Sequence, residues 1–402
     1  MLKSVQFLLE LVVLIYIGFN IIYISFYSWG AFFYKKTNFN RKAKKLNSFA
    51  VLIPAYKSDA VIIETVNQSL LQNYDKSLYD IIVIADSLSE KTLDTLAQKD
   101  ITLIPVSFEV STKAKSLNTA LAFLPEKYDY CLILDVDNIM EYDFLKKINL
   151  RLQDNEMVIQ GHRTAKNLNT SFAILDGLSE EINNHIFRKG HIGLGVSSAL
   201  IGSGTAIQYA YFKKVMFEIE SPVEDKELEM RLLKDRHKIH YENDALVFDE
   251  KVDSSMVFAN QRRRWLASQF FDFNKIVFEG LVELFLRGNF DYFDKSIQKI
   301  LLPRVLLFGI SAILALTVFT THIYFGLLFL CLFVLCLVSY ILAVPPSYIN
   351  SNTIKASFRL PQAIGLMFLA LFKTKGAATK NFIHTPHKAV HNELDTDVKG
   401  DN

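Results

Sequence analysis

The chain has 402 residues, 50% of them hydrophobic, and a mean hydropathy of +0.20. This composition is more apolar than that of an ordinary soluble protein, yet it leaves room for one globular domain of about 100–250 residues. The 44 basic and 42 acidic residues nearly cancel to a net charge of +2, so the overall charge gives no reason to expect nucleic acid as a partner.

The first predicted element is a membrane-spanning helix. Residues 5–33 contain a single acidic residue, Glu10, and are otherwise mostly apolar and aromatic over more than the roughly 20 residues that a bilayer needs. A cleaved signal peptide is the alternative, but its apolar core has only about 7–15 residues. Six cations follow without an acid, at positions 35, 36, 41, 42, 44 and 45. By the positive-inside rule, we expect residues 1–34 to anchor the chain in the plasma (inner) membrane, with the N-terminus outside and the next domain in the cytosol.

Residues 45–270 are predicted to form that domain. Apolar runs at residues 49–56, 79–86, 101–106 and 130–134 indicate buried strands, and helical patterns lie between them, at residues 62–72, 90–99 and 116–124. Strands that alternate with helices predict an α/β fold with a parallel sheet covered on both faces. Such sheets bind their ligands beyond the carboxyl ends of the strands.

Three aspartates follow predicted strands at that edge. Asp86 ends the second strand, and Asp135 and Asp137 come directly after residues 131–134, so we expect all three carboxylates to open into one crevice. Mg²⁺ and Mn²⁺ prefer one or two carboxylates together with substrate phosphates. We therefore predict Asp137 as a metal ligand, Asp135 beside the ribose or diphosphate of a nucleotide sugar, and Asp86 at the base or ribose. The alternative is that these aspartates cap or stabilise loops.

The C-terminal part is predicted to return to the membrane. Residues 271–299 have the spacing of amphipathic interface helices, although a helix packed on the globular domain would show the same pattern. Residues 300–346 read as a transmembrane hairpin interrupted at 320–322. In the last predicted region, residues 347–402, the apolar stretch 357–372 is short and has cations on both flanks, which favours an interface or re-entrant helix followed by a cytosolic tail.

A series of short motifs follows one another in order between residues 48 and 270. They are Val51–Tyr56, Asp86, Lys113–Asn118, Asp135–Asp137, Gly202–Thr205, Val223–Asp225 and Gln261–Trp265. With these motifs the chain resembles glycosyltransferase family 2, in particular the membrane-bound branch of hyaluronan, chitin, cellulose and poly-N-acetylglucosamine synthases. The resemblance implies a GT-A type fold with a Rossmann-like mixed sheet. It also implies inverting transfer of a hexose or N-acetylhexosamine from a UDP-sugar.

The same resemblance suggests functions for the basic motifs. It implies that Lys113 contacts the nucleotide. It further implies that Gln261, Arg262 and Arg264 contact the diphosphate and that Trp265 offers an apolar face to the acceptor sugar. Fixed cations and a metal aimed at the leaving diphosphate would stabilise the charge that develops there. Binding of anionic lipid by the arginines is the alternative.

Inversion in a single displacement needs one base to accept the proton of the acceptor hydroxyl. Asp225 precedes the predicted helix 226–234, where the helix N-terminus favours a carboxylate, and we predict it to be this base. Glu224, Gly202 and Gly204 are predicted on the acceptor side, the glycines because they allow close approach of the backbone. A helix-capping acid and a simple turn are the alternatives.

Two enzymatic functions and one non-enzymatic function remain open from the sequence. The first is extension of a growing polysaccharide, the second is transfer of one sugar to a lipid-linked acceptor, and the third is a non-catalytic subunit of a polysaccharide assembly. Three or four membrane segments are few to enclose a polar polymer, because helices lining a channel need neighbours that seal it from lipid. A homo-oligomer or a secretion partner would supply those neighbours.

Overall fold

The computed structural model describes residues 2–154, 156–219, 223–251 and 273–372. The motif with Gln261, Arg262, Arg264 and Trp265 lies outside these residues, as does the tail 373–402. The described residues divide into two compact units. A sheet unit comprises the described residues within 35–168 and 197–251, and a helical unit comprises those within 2–34, 169–196 and 273–372.

The sheet unit contains eight described strands in the order β3-β2-β1-β4-β7-β6-β8-β5. The strands are β1 (Phe49–Tyr56), β2 (Tyr79–Asp86), β3 (Thr102–Val106), β4 (Tyr130–Ile133), β5 (Ile139–Met140), β6 (Val158–Ala165), β7 (Thr205–Gln208) and β8 (Ile239–Asp249). Strands β1 to β4 pair in parallel, whereas β7 is antiparallel to both β4 and β6. The prediction of an α/β fold with a mixed sheet is confirmed.

Helices cover this sheet. They are Ile62–Ser69, Glu90–Ala97, Lys113–Phe123, Phe144–Arg151, Tyr209–Met216 and Glu224–Lys234, with 3₁₀ turns at Lys76–Leu78 and Leu152–Asp154. The helix Lys113–Phe123 begins three residues before its predicted start. The reason is a cap: the Thr112 hydroxyl accepts a hydrogen bond from the Lys115 amide at 3.2 Å and so satisfies a donor of the first turn.

The central strands owe their position to apolar side chains on both faces. Val51 of β1 and Val83 of β2 are completely buried on one face, and Leu52 of β1 and Ile82 of β2 are completely buried on the other. Burying one such side chain contributes about 1.5–3 kcal/mol, which explains why these strands read as continuous apolar runs in the sequence.

The helical unit contains the apolar segments. Its described helices are Leu2–Gly30, Ser171–Asn183, a π-helical turn Asn184–Gly190, His191–Gly193, Phe273–Arg287, Phe290–Gln298, Arg304–Thr317, Ile323–Ala343, Ser351–Ser357 and Leu360–Phe372; 3₁₀ turns lie at Ala31–Phe33, Val318–Thr320 and Pro346–Tyr348. Two described stretches, Ser4–Phe33 and Ile323–Ala343, are long and apolar enough to cross a membrane. Arg304–Thr320 and Leu360–Leu369 are apolar but shorter. The first half of the expected hairpin is thus a shorter helix than the second.

Two glycines let the chain after the π-helical turn lie directly against the N-terminal helix. A Cβ atom on Gly190 would stand 2.0 Å from the carbonyl oxygen of Tyr27, and one on Gly193 would stand 2.1 Å from that of Gly30. No side chain fits at either position without separating the backbones.

A buried polar cluster also lies in the helical unit. The hydroxyls of Tyr23 and Tyr27 each donate a hydrogen bond of 2.7 Å to Asp294, and Gln298 donates one of 2.9 Å. The ring of His191 stacks on Tyr27 at 3.6 Å, and its Nε2 lies 3.2 Å from the Asp294 carboxylate. The cluster therefore ties the N-terminal helix to the helix Phe290–Gln298.

Candidate active site

The carboxyl ends of three neighbouring strands bring the predicted acids to one edge of the sheet. Strand β1 lies between β2 and β4, and Tyr56 at its end stands beside Asp86 at the end of β2. The turn with Asp135 and Asp137 follows β4 at the same edge. Its backbone is held from both sides, because the Asn138 amide donates to the Asp135 carbonyl at 3.0 Å and Thr65 donates to the Val136 carbonyl at 2.6 Å.

Lys113 joins three of the predicted motifs. Its ammonium lies 2.5 Å from Asp135 Oδ1, 2.9 Å from the Gly202 carbonyl oxygen and 3.5 Å from Glu224 Oε1. Burial opposes the charged form, but the neighbouring carboxylates of Asp135, Glu224 and Asp225 outweigh it and raise the pKa of Lys113 above its usual range. Since an ammonium has three donors, contact with a nucleotide would exchange one of these bonds, and the longest is the one to Glu224.

Glu224 and Asp225 form the first turn of the helix Glu224–Lys234. Burial raises the pKa of Glu224 to about 7. The charge of Lys113 opposes this shift, and the charge of Asp225 adds to it. Asp225 Oδ1 accepts a hydrogen bond of 2.9 Å from the Lys226 amide. Gly202, with φ of +71°, packs so closely that a Cβ there would stand 3.1 Å from the Asp225 Cβ. The backbone at Gly202 therefore limits how Asp225 can move.

Gly204 is placed differently from Gly202. Its amide donates to the Ile133 carbonyl and its carbonyl accepts from the Gly161 amide, both at 2.8 Å. A Cβ on Gly204 would stand 2.8 Å from a methyl of the buried Val247. Its φ of +65° and these contacts give Gly204 a structural function in the sheet. A contact of Gly204 with an acceptor stays a prediction.

The second aspartate of the turn lies beside a carboxylate that the sequence analysis missed. Asn138 Nδ2 donates to Asp137 Oδ1 at 3.0 Å and to Asp249 Oδ1, at the end of β8, at 2.8 Å. Burial and the negative charges of Asp249 and Asp135 raise the pKa of Asp137 to about 7. The sequence did hold a signal for Asp249, because Leu246–Phe248 is an apolar run that ends in a carboxylate, as at Asp86.

Asp86 has a buried acceptor atom that no described residue satisfies. The side chain is 1% exposed, and its Oδ1 accepts a hydrogen bond of 2.9 Å from the Ser87 hydroxyl. Its Oδ2 has no hydrogen-bond partner within the described ranges. A buried oxygen without a hydrogen-bond partner costs free energy. We therefore expect a bound ligand to donate a hydrogen bond to Asp86 Oδ2.

The carboxylates at this edge fit a divalent cation that is coordinated partly by the protein and partly by the phosphates of a bound ligand. Among the residues that the structure describes, no group of three His, Cys, Asp or Glu side chains could hold a metal by itself. Oxygen ligands from one or two carboxylates, completed by phosphates and water, are what Mg²⁺ and Mn²⁺ use. Asp137 offers such an oxygen beside the carboxylates of Asp249 and Asp135, and a cation would offset the repulsion among them.

Comparison with known proteins agrees with this fold. The family profile described as "Glycosyltransferase like family 2" matches residues 47–268. A curated relative, "Probable glycosyltransferase YdaM" of Bacillus subtilis (strain 168), is 24% identical over 234 residues. That match covers 55% of this chain and 55% of the relative, so the chain spans about half the length of the curated relative it matches.

A solved structure is similar over nearly the whole chain. The mannosyltransferase PcManGT from Pyrobaculum calidifontis, in complex with GDP-Man and Mn²⁺, superposes with a TM-score of 0.51 at 13% identity. The superposition covers 92% of this chain and 99% of that one. At this identity the likeness shows the fold alone, and it supports the GT-A type. Because the family profile matches more than half of its residues, the chain belongs to glycosyltransferase family 2.

Proposed function

We propose that the protein is an inverting membrane glycosyltransferase that moves a hexose or N-acetylhexosamine from a UDP-sugar to a growing polysaccharide. The observation that carries this proposal is the junction at Lys113, where one ammonium holds Asp135, Gly202 and Glu224 together. Separate motifs of a sugar-transferring family thereby meet at one ammonium group.

On the donor side, Asp86 accepts a hydrogen bond from the base or ribose, which would satisfy its buried Oδ2. Asp135 lines the ribose or diphosphate, and Lys113 exchanges its long contact with Glu224 for the nucleotide. Gln261, Arg262 and Arg264, outside the described residues, contact the diphosphate. Preorganised cations of this kind stabilise the charge that develops on a leaving diphosphate.

Asp137 would hold a Mg²⁺ or Mn²⁺ ion together with that diphosphate. When bound, the ion would supply Lewis-acid stabilisation of the leaving group. The chemistry of the donor set supports this assignment, because the carboxylate of Asp137 lies beside the carboxylates of Asp249 and Asp135, whose charges raise its pKa.

Asp225 is the proposed base. Its carboxylate takes the proton of the acceptor hydroxyl, whose oxygen bonds to the anomeric carbon while the bond from that carbon to the diphosphate breaks and its electron pair leaves with UDP. The helix N-terminus and the Lys226 amide stabilise the carboxylate, and Gly202 restricts its position. Glu224, Gly202, Gly204 and Trp265 face the acceptor in this proposal.

The apolar helices favour a place in the membrane for this reaction. We assign the stretches Ser4–Phe33 and Ile323–Ala343 as spans, with the N-terminus outside and the sheet unit in the cytosol at the plasma (inner) membrane. The cations that follow residue 34 support this orientation by the positive-inside rule.

A second candidate is transfer of a single sugar to a lipid-linked acceptor. Only two stretches of the described chain are long and apolar enough to span, which is few for enclosing a polar polymer without a homo-oligomer or secretion partner. A lipid-linked acceptor needs no enclosed channel.

The test is an assay on membranes that contain the full chain, supplied with labelled UDP-sugars, with and without a chelator, followed by sizing of the product. We expect one UDP-sugar to be incorporated into a long product and the chelator to stop incorporation. A product longer by one sugar supports the second candidate. Incorporation that survives the chelator overturns the metal assignment, and no incorporation from any UDP-sugar overturns the proposed donor.

A further inference from the structure

Strand β8 brings a second carboxylate to the proposed metal site. Strand β5 directly follows the turn with Asp137, and it pairs with β8 in antiparallel register, Ile139 opposite Phe248. Continuing that register by one residue places Asn138 opposite Asp249. The two residues are therefore brought together by the sheet itself, although they are more than a hundred positions apart in the sequence.

A chain of hydrogen bonds determines which way the Asn138 amide points. The Asp135 amide can only donate, and it donates to the Ser203 hydroxyl oxygen at 3.0 Å. The hydroxyl proton is then free to go to Asn138 Oδ1 at 2.6 Å. Because its oxygen is used in this way, Asn138 must turn its NH₂ group to Asp137 and Asp249.

The two carboxylates consequently converge on one donor. Asn138 Nδ2 lies 3.0 Å from Asp137 Oδ1 and 2.8 Å from Asp249 Oδ1, so these two oxygens are separated by less than about 6 Å. The other oxygen of Asp249 is neutralised by Lys251 at 2.6 Å, with Arg163 at 3.8 Å. These two cations lie at Oδ2, while Oδ1 accepts the hydrogen bond from Asn138.

We propose that Asp249 is a second carboxylate ligand of the divalent cation that accompanies the donor diphosphate, with Asn138 holding both carboxylates in place. The proposal rests on the proposed function, which supplies the diphosphate and the cation. Two carboxylates completed by phosphate oxygens and water form an ordinary Mg²⁺ or Mn²⁺ site. The rival is that Asp249 serves only to anchor Asn138.

A change of metal preference separates a ligand from an anchor. Carboxylates suit Mn²⁺, whereas a thiolate selects softer ions such as Cd²⁺. We expect Asp249→Cys in the full detergent-solubilised chain, with UDP present, to shift the ratio of the Cd²⁺ and Mn²⁺ dissociation constants at least about tenfold towards Cd²⁺. Titration calorimetry measures both constants.

The control is Glu126→Cys, which replaces a carboxylate whose side chain is 65% exposed on the same unit. Both variants contain the same three native cysteines, so the Cd²⁺ binding of those cysteines is the same in both and cancels in the comparison. An equal ratio in the two variants overturns the proposal.

If Asp249→Cys shows no cooperative unfolding transition, Asp249→Asn replaces it and is compared with Asn138→Ala, which removes the group that Asp249 would anchor. A ligand predicts a loss of Mn²⁺ affinity clearly larger in Asp249→Asn than in Asn138→Ala, and an equal or smaller loss overturns the proposal. Unchanged affinity in Asp249→Asn also overturns the proposal.

Failure of this inference is distinguishable from failure of the proposed function. If Asp137→Ala binds Mn²⁺ with UDP as tightly as the natural chain, the metal assignment in the proposed function is wrong. The assignment of Asp249 as a second ligand is then wrong as well. If Asp137→Ala loses binding but Asp249→Cys keeps the natural metal ratio, only the assignment of Asp249 is wrong.

Discussion

Two aspartates, one in each unit, have opposite electrostatic surroundings. Asp294 in the helical unit is surrounded by donors. Burial opposes its charged form, but His191 and the Tyr23 hydroxyl outweigh burial and hold the pKa of Asp294 well below its usual range. Asp137 at the sheet edge is half-buried, and desolvation together with the negative charges of Asp249 and Asp135 raises its pKa. The first environment stabilises its carboxylate with the protein's own groups, whereas in the proposed function a cation would stabilise the second.

This difference separates structural polar groups from binding groups without reference to any motif. A cluster that satisfies its own charge contributes to the fold, and a cluster that keeps excess charge of one sign has a reason to bind. By this criterion we propose that the edge with Asp137 and Asp249 is the functional region. The following changes test the comparison, from the largest expected effect to the smallest.

Asp225→Asn should reduce sugar transfer by about 10²–10⁴-fold, because the amide cannot accept the proton of the acceptor hydroxyl. Transfer of label from the UDP-sugar measures the effect. The matched control is Glu227→Gln on the same helix, where the side chain pairs with Arg231. Normal transfer by Asp225→Asn would remove this residue from the site, and an equal loss in the control would point to the helix instead of the base.

Asp137→Asn should reduce transfer by on the order of 10²–10³-fold while leaving unfolding unchanged or shifted to higher temperature. The amide removes a charge that lies near Asp249 and Asp135 and so relieves repulsion in the protein without ligand. Thermal unfolding in detergent, measured beside the transfer assay, checks both parts. A loss of stability would show that Asp137 is a structural residue like Asp294.

Asp294→Asn should destabilise the protein by about 3 kcal/mol, because a buried charge with several donors is lost. The free energy of unfolding in detergent is the measurement. Activity per folded molecule should stay normal, since the cluster lies in the helical unit. Reduced turnover in fully folded protein would break the comparison between the two regions.

Glu224→Gln should flatten the pH dependence of stability. The pKa of Glu224 is about 7 in the folded protein, against about 4.3 for an unfolded chain. Its contribution to stability is complete below the unfolded pKa and is lost as pH rises through about 7, by about 3–4 kcal/mol. Unfolding temperatures between pH 4.5 and 7.5 should therefore fall less steeply in the variant, and an unchanged slope would contradict the raised pKa.

The sequence predicted the parallel half of the sheet well, and the reason is local. Strands β1, β2 and β4 are buried on both faces, so each reads as one apolar run, and Asp86 and Asp135 follow from where these runs end. Strand β7 was not predicted, since it has four residues and its antiparallel place depends on β4 and β6.

The network around Asn138 was beyond prediction for a different reason. Ser203, Asn138 and Asp249 come from separate segments, and their contacts exist only after the strands have paired. The connection between Lys113 and Glu224 is equally non-local. Motif order predicted that Lys113 and Glu224 share a site, but it contained no information about which atoms are in contact.

Gly190 and Gly193 carry a consequence for genetics. Because any side chain there collides with the backbone of the N-terminal helix, nearly every substitution should lower the amount of protein in the cell and leave the turnover of surviving molecules intact. A growth-based mutational scan would score both positions as severely as the proposed base. Counting molecules per cell alongside growth would assign them to assembly.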